Sequence, residues 1–353
     1  MTSRLKSEWY QEDLARAVEG IDLSMLDGAS IMVSGATGMI GACLVDALLA
    51  RADAGGFSCK VIALGRDEAR ARTRLPYFGD ARFCFEELDV SVPGARPATP
   101  ADVVVHLAST THPRAYATQP IGTISSNVTG LQNLLEHAGK VEGSHFVFAS
   151  SVEVYGENRG DVDSFAEDYC GYLDCNTLRA GYPEAKRLGE ALCQAYASER
   201  GQTIYVPRLP RTFGPTVLPS DTKAISQFIA RAVAGQDVVL KSEGTQTYSY
   251  LYVADVVRGL LWILTHGLST RAYNLAHPSM DAALRDLARH LANSAGTEVV
   301  FELPDEVERA GYSTATRATM DGSALAKTGW EPRYTLSEAL ARTVTILKGE
   351  ARA

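Results

Sequence analysis

The sequence predicts an α/β protein built on a doubly wound parallel sheet, followed by a smaller C-terminal lobe. Three observations carry that expectation. Short apolar runs of strand length alternate with segments whose apolar residues recur at helical spacing; a glycine-rich turn joins the first such strand to the first such helix; and the alternation gives way to a proline-rich stretch beyond Arg208. Strands alternating with helices leave a parallel sheet whose two faces are both covered.

Residues 1–27 read as a helical extension, with Trp9, Leu14, Ala17 and Val18 forming an apolar stripe and Gly20 a stop signal. This extension is expected on the outside of the main domain. Ser30 to Ser34 is a short buried strand, and Met39 to Arg51 carries Ile40, Cys43, Leu44, Ala47 and Leu48 at helical spacing. Further strands fall at Lys60 to Leu64, Arg82 to Glu86, Val103 to Leu107 and Ser144 to Ala149. Helices follow at Ile121 to His137, with Val128, Leu131, Leu134 and Leu135, and at Tyr182 to Arg200, with Ala185, Leu188, Leu192 and Tyr196. Their stripes are broad enough to be buried twice, on the sheet and on a partner. Pro207, Pro210, Pro215 and Pro219 mark the second lobe, while Tyr248 to Val253 and the helix from Asp255 to His266 read as a return to the first. The expected organisation is an extension at 1–27, a main domain at 28–207 with a return segment at about 246–270, and a second lobe from 208–245 and 271–353.

At 353 residues and 46% hydrophobic, the chain can bury a large core in two lobes, by the usual scale of roughly 100–200 residues per domain. A net charge of −8 lacks the basic excess that binding a phosphate backbone requires, so nucleic acid is not an expected partner. No run reaches the roughly 18 apolar residues of a membrane span, and the first dozen residues are polar rather than signal-like. A cytoplasmic protein with no membrane partner is expected. The six cysteines are scattered, and Cys170 with Cys175 lacks a second Cys/His pair at ligand spacing, so neither a structural disulfide nor a metal site is expected.

Gly35, Thr37, Gly38, Met39, Ile40 and Gly41 follow the first strand and open the first helix. Glycines there permit a tight turn and close approach of backbone to a pyrophosphate, which the free N–H groups of the helix N-terminus attract. The placement points to a Rossmann-type dinucleotide site. At the end of the second strand, where a carboxylate ordinarily holds the ribose 2′-OH of NAD, the chain runs Ala63, Leu64, Gly65, Arg66. Arg66 either pairs with a 2′-phosphate, favouring NADP, or stacks on adenine or stays in water. Asp89 and Val90 are either an adenine contact or a turn. Tyr182 and Lys186, four residues apart, share one helix face, and a nearby ammonium favours a phenolate.

Taken in order, Gly35 to Gly41, then His106, Leu107, Ala108 and Ser109, then Asn127 opening a helix, then Ser150 to Gly156, then Tyr182 with Lys186 resemble the extended short-chain dehydrogenase/reductases, specifically the NAD-dependent epimerase/dehydratase family acting on nucleotide sugars. Arg208 through Pro215, then Tyr252, Val253 and Asp255, then Gly329 to Pro332 continue the resemblance over nearly the whole chain. It implies that Tyr182 is the acid/base, that Lys186 holds the nicotinamide ribose and depresses the tyrosine pKa, and that Ser151 hydrogen-bonds the substrate hydroxyl. It further implies that Leu107, Ala108, Ser109 and Asn127 border NAD, and that Thr111, Thr212 and Arg317 serve the substrate. Pairing of the two broad-striped helices across a homodimer in a four-helix bundle is also implied.

Departures from the family pattern narrow the reaction. Family dehydratases resemble the chain at Glu153 but carry an acid just before it, where Val152 cannot donate a proton. Decarboxylases of uronic sugars use an arginine where Tyr248 stands. Arg211 replaces a common asparagine and, with Arg208, is either a grip on the pyrophosphate that Tyr248 cannot supply or a surface arginine in a proline-rich loop. The expected activity is nucleotide-sugar epimerisation through transient oxidation of a carbinol, at C4. The alternatives are a UDP-glucuronate decarboxylase-like reaction and an NADPH-dependent ketoreductase; a dinucleotide sensor without chemistry would need no Ser151, Tyr182 and Lys186.

Overall fold

The computed structural model describes residues 3–109, 111, 116, 118–302 and 316–349; the parts of the expected second lobe at 303–315 and 350–353 lie outside them. In chain order the strands are β1 Ser30–Ser34, β2 Lys60–Gly65, β3 Phe83–Glu87, β4 Val103–His106, β5 His145–Phe148, β6 Ser150–Ser151, β7 Thr203–Leu209, β8 Arg211–Phe213, β9 Val238–Leu240, β10 Thr247–Tyr252, β11 Ala272–Asn274, β12 Asp281–Ala283, β13 Val299–Phe301 and β14 Arg317–Ala318. The helices are α1 Glu8–Val18, α2 Met39–Asp53, α3 Glu68–Arg74, α4 Pro120–Ala138, α5 Gly181–Arg200, α6 Ala224–Val233, α7 Val253–His266, α8 Leu284–Ala295, α9 Ser323–Ala326 and α10 Leu336–Lys348.

The main sheet is parallel, in the order β3-β2-β1-β4-β5-β7-β11, with the short β6 also on β7. Its strand order reverses between β1 and β4, and the crevice beyond their C-terminal ends is where such sheets bind ligands. Along β1 the side chains alternate between faces, Ile31 and Val33 to one core and Met32 to the other, as a pleated strand requires. Helices α4 and α5 pack on each other over the Met32 face, where Leu131, Leu134 and Cys193 meet Val104, Phe146 and Ile204. Helices α1, α2 and α7 cover the opposite face. Helix α5 stops where Gly201 turns left-handed, at φ 66°, a conformation that spares glycine the Cβ penalty.

Of the return segment expected at 246–270, only the helix lies on the main sheet: α7 packs on β5 and β7. Strand β10 instead centres a second sheet, paired with β8, β12 and β14. Residues from 271 onward are expected in the second lobe, yet β11, which follows α7, is the outer strand of the main sheet and sits beside β7, because its backbone pairs with Val206 to Arg208. Helix α1 does more than decorate the first lobe. Asp13 on it is buried and accepts hydrogen bonds from the Tyr252 and Tyr334 hydroxyls and from Arg342 Nε, tying α1 to β10 and α10. Asp46 on α2 plays the same part for Arg4, Tyr10 and Tyr77. Among the described residues no helix is long and apolar enough to cross a membrane.

Candidate active site

The turn after β1 is built so that only glycine fits. Gly35 has a φ of 71°, and a Cβ on it would stand 2.8 Å from the Ala108 nitrogen; one on Gly41 would stand 2.3 Å from the Gly35 carbonyl oxygen. Gly38 caps α2 in extended conformation without a side-chain partner, so the first N–H groups of this 15-residue helix stay available. Ser34 and His106 fasten the ends of β1 and β4 through an Oγ to Nδ1 contact of 2.7 Å. From this turn a cavity of about 720 Å³ runs into the second lobe. Of the residues expected around a dinucleotide, the glycine turn, Thr37, Met39, Ile40, Arg66, Asp89, Val90, Leu107, Ala108 and Ser109 all line it. Asn127 does not: it is fully buried, its Nδ2 donates to the Thr123 carbonyl at 2.8 Å, and its neighbour Ser126 faces the cavity instead.

The chemistry-bearing end is assembled from β6 and α5. Ser151 ends β6 and its Oγ accepts from the Glu153 backbone N–H at 3.3 Å. Tyr182 and Lys186 come from successive turns of α5, and both are buried. The Lys186 ammonium donates to the Ala149 carbonyl at 2.6 Å and lies 5.9 Å from the centre of the Tyr182 ring. Burial pushes the Tyr182 phenol up to about 12; the Ser151 hydrogen bond works against this, the Glu153 charge adds to it, and the Arg179 charge opposes it. Lys186 is not among the groups that lower it. Burial holds Lys186 itself down to about 7, so the protein without its cofactor does not prepare the tyrosinate that the sequence suggested.

Around this pair sit groups that the sequence brought out only in part. Arg179, three residues before Tyr182, donates to Glu153 at 2.7 Å and lies over the Tyr116 ring at 4.8 Å; Tyr116 in turn stacks on Tyr182 at 5.1 Å. Burial raises the Glu153 carboxyl, but the charges of Arg179 and Arg211 outweigh it and leave the group below the usual carboxylate range. Arg211 lies 3.7 Å over the Tyr248 ring, and its Nε, like Nε and Nη1 of Arg179, is buried with no hydrogen-bond partner among the described residues. Thr111, Thr212, Arg211 and Tyr248 line the cavity with Ser151, Glu153, Tyr182 and Lys186.

Two expected substrate residues do not reach the cavity. Arg208 is gripped by both oxygens of Glu190, at 2.9 and 2.7 Å, and donates to the Glu167 carbonyl, so its charge is spent inside the fold. Arg317 pairs at the surface with Asp163 at 3.2 Å. The sequence reading missed Arg179, Tyr116, Asp67 and Arg70. Of these only Arg179 carries a signal, its spacing of one turn before Tyr182.

Residues 31–276 match the family model described as NAD dependent epimerase/dehydratase family. A "UDP-glucuronic acid decarboxylase 1" of Xenopus tropicalis is 31% identical over 332 residues, 93% of this chain and 74% of that protein. A "UDP-glucuronic acid decarboxylase 5" of Arabidopsis thaliana is 31% identical over 315 residues, 88% of this chain and 86% of that protein. The crystal structure of a UDP-glucuronic acid 4-epimerase from Bacillus cereus, in complex with UDP-glucuronic acid and NAD, superposes with a TM-score of 0.75 at 21% identity, covering 90% of this chain and 99% of that one.

Proposed function

The chain belongs to the NAD-dependent epimerase/dehydratase family of nucleotide-sugar-modifying enzymes, and from that premise we propose that it is a nucleotide-sugar epimerase working at the sugar C4. What carries the reading is that Ser151, Tyr182 and Lys186 meet at the inner end of the cavity, beside a Glu153 preceded by the buried Val152. The glycine turn, whose spare space a Cβ would fill, and the uncapped start of α2 fit the diphosphate of NAD. When bound, the nicotinamide supplies a hydride acceptor and, in the return step, a donor. Ser151 holds the carbinol oxygen, and Tyr182 takes its proton and later returns it. Lys186, fixed by the Ala149 carbonyl, lies beside the Tyr182 ring and would hold a nicotinamide-ribose hydroxyl when the dinucleotide is bound. No other proton donor is required for epimerisation. Dehydration needs an acid beside Glu153, and Val152 offers none.

A second reading, decarboxylation of a uronic sugar, draws support from the curated relatives and from the two guanidinium groups of Arg179 and Arg211, which suit a sugar bearing a carboxylate. Against it stands Tyr248 in place of an arginine. Incubation with UDP-glucose, UDP-glucuronate and their dTDP-, GDP- and CDP- counterparts, followed by proton NMR, tests both. A new epimer without loss of carbon supports the first reading; carbon dioxide with a pentose product sinks it and establishes the second.

Ile121, Ile124 and Leu188, on the outer side of α4 and α5, are 79%, 43% and 48% exposed. Burying them supports a homodimer through a four-helix bundle, which sedimentation tests. The six free cysteines suit a reducing, cytoplasmic setting.

A further inference from the structure

The far end of the cavity, beyond the glycine turn, has a charge pattern that the reaction at the other end does not explain. Strand β2 closes on Gly65, which leaves no side chain at the position from which a carboxylate reaches a ribose; a Cβ there would already touch the Phe85 ring at 3.1 Å. The next carboxylate along the chain, Asp67, caps α3: its Oδ1 accepts the Arg70 backbone N–H at 2.9 Å, which leaves it one oxygen rather than two for a ribose. Two guanidinium groups flank that opening instead. Arg66 and Arg70 both line the cavity. The Arg66 side chain is 71% exposed and its ion pair with Asp89 spans 4.0 Å, the outer limit of such a contact. Arg70 makes no side-chain hydrogen bond or ion pair that holds it elsewhere among the described residues. Asp89, the remaining carboxylate on this wall, is turned onto the Ser91 backbone N–H and hydroxyl, at 2.9 and 2.6 Å.

A ribose with free 2′ and 3′ hydroxyls is best held by a carboxylate that accepts from both, and a 2′-phosphate by guanidinium groups that donate to it in pairs. We propose that this site takes the 2′-phosphorylated dinucleotide, NADP, at least as tightly as NAD, with Arg66 and Arg70 as the residues that read the 2′-phosphate. The inference rests on the dinucleotide reading of the glycine turn and is independent of the sugar and of the outcome at C4. Arg66 stacked on adenine would serve both dinucleotides alike, so the quantity that decides is a ratio of affinities.

The test is isothermal titration of the purified protein with NADP+ and NAD+, and with adenosine 2′,5′-bisphosphate and adenosine 5′-monophosphate as fragments. The wild type is expected to bind NADP+ no more weakly than NAD+, and the bisphosphate more tightly than the monophosphate. A charged hydrogen bond is worth a factor of roughly 10 to 100. Arg66→Ala and Arg70→Ala should each weaken NADP+ by about tenfold or more while leaving NAD+ within about twofold, and raising the salt concentration should weaken NADP+ more steeply than NAD+. Circular dichroism confirms that the variants fold. Tighter NAD+ than NADP+ binding in the wild type overturns the inference while the dinucleotide site stands, and so does an equal loss for both dinucleotides in Arg66→Ala. Binding of neither overturns the dinucleotide site as well.

Discussion

Replacing Arg179 by glutamine removes the nearer of two positive charges that keep Glu153 ionised. The pair meets at 2.7 Å, with the arginine side chain 20% and the glutamate 21% exposed. A hydrogen bond to a charged partner is worth about 1.5–3 kcal/mol, and the remaining exposure argues for the lower end, about 1.5 kcal/mol. The sign follows from linkage: a carboxyl held below its unfolded value stabilises the fold above that value, and the contribution fades as the pH falls through the folded one. In Arg179→Gln burial dominates, the carboxyl rises, and that stabilisation is lost at neutral pH. The melting temperature should therefore fall by about 2 °C at pH 7.5, from about 2.1 cal/mol/K of unfolding entropy per residue, and the gap should shrink as the pH is lowered to about 4 and below. Scanning fluorimetry between pH 3.5 and 7.5 measures it, with Glu153→Gln and the double variant as controls. A gap that does not change with pH, or a double variant that loses the full sum of the two single losses, refutes the reasoning.

Tyr182→Phe keeps the ring and removes the proposed proton carrier, so turnover should drop by roughly 10²–10⁴-fold with dinucleotide affinity unchanged by titration. Lys186 carries a desolvation penalty that is fully present below pH 7, where its buried ammonium stays charged, and fades as the pH rises toward its ordinary value of 10.5. Lys186→Met should thus stabilise the cofactor-free protein by about 1–4 kcal/mol at pH 6 and by much less at pH 10; a lower melting temperature than wild type at pH 6 would contradict this. Asp13→Ala leaves the buried Arg342 without its closest partner and should destabilise by about 3–5 kcal/mol, seen as a lower denaturant midpoint, with Arg342→Met in the same chain recovering part of it.

Local chemistry made much of this protein legible. Strands β1 to β5 of the main sheet, the glycine turn and the α5 face carrying Tyr182 and Lys186 each follow from residues within one or two turns of each other, which is the range over which periodicity and φ preferences act, whereas β7 and β11 were not legible as strands of that sheet. The position of β10 did not follow, because its aromatic run suits any buried strand and only pairing with β8, β12 and β14 assigns it to the second sheet. Arg208 and Arg211 looked equivalent in the sequence, three residues apart. The fold separates them: Glu190 on α5 claims the first, while the second projects over Tyr248 into the cavity. Arg179 gains its role only when the segment before α5 meets Glu153, and Asp13 only when residues 239, 321 and 329 positions away converge on it. The sequence by itself thus determined which groups are present for the proposed hydride and proton transfer. Tertiary structure decided which charges face the cavity and which brace the fold, because a buried guanidinium goes to whichever carboxylate the packing brings within hydrogen-bond reach.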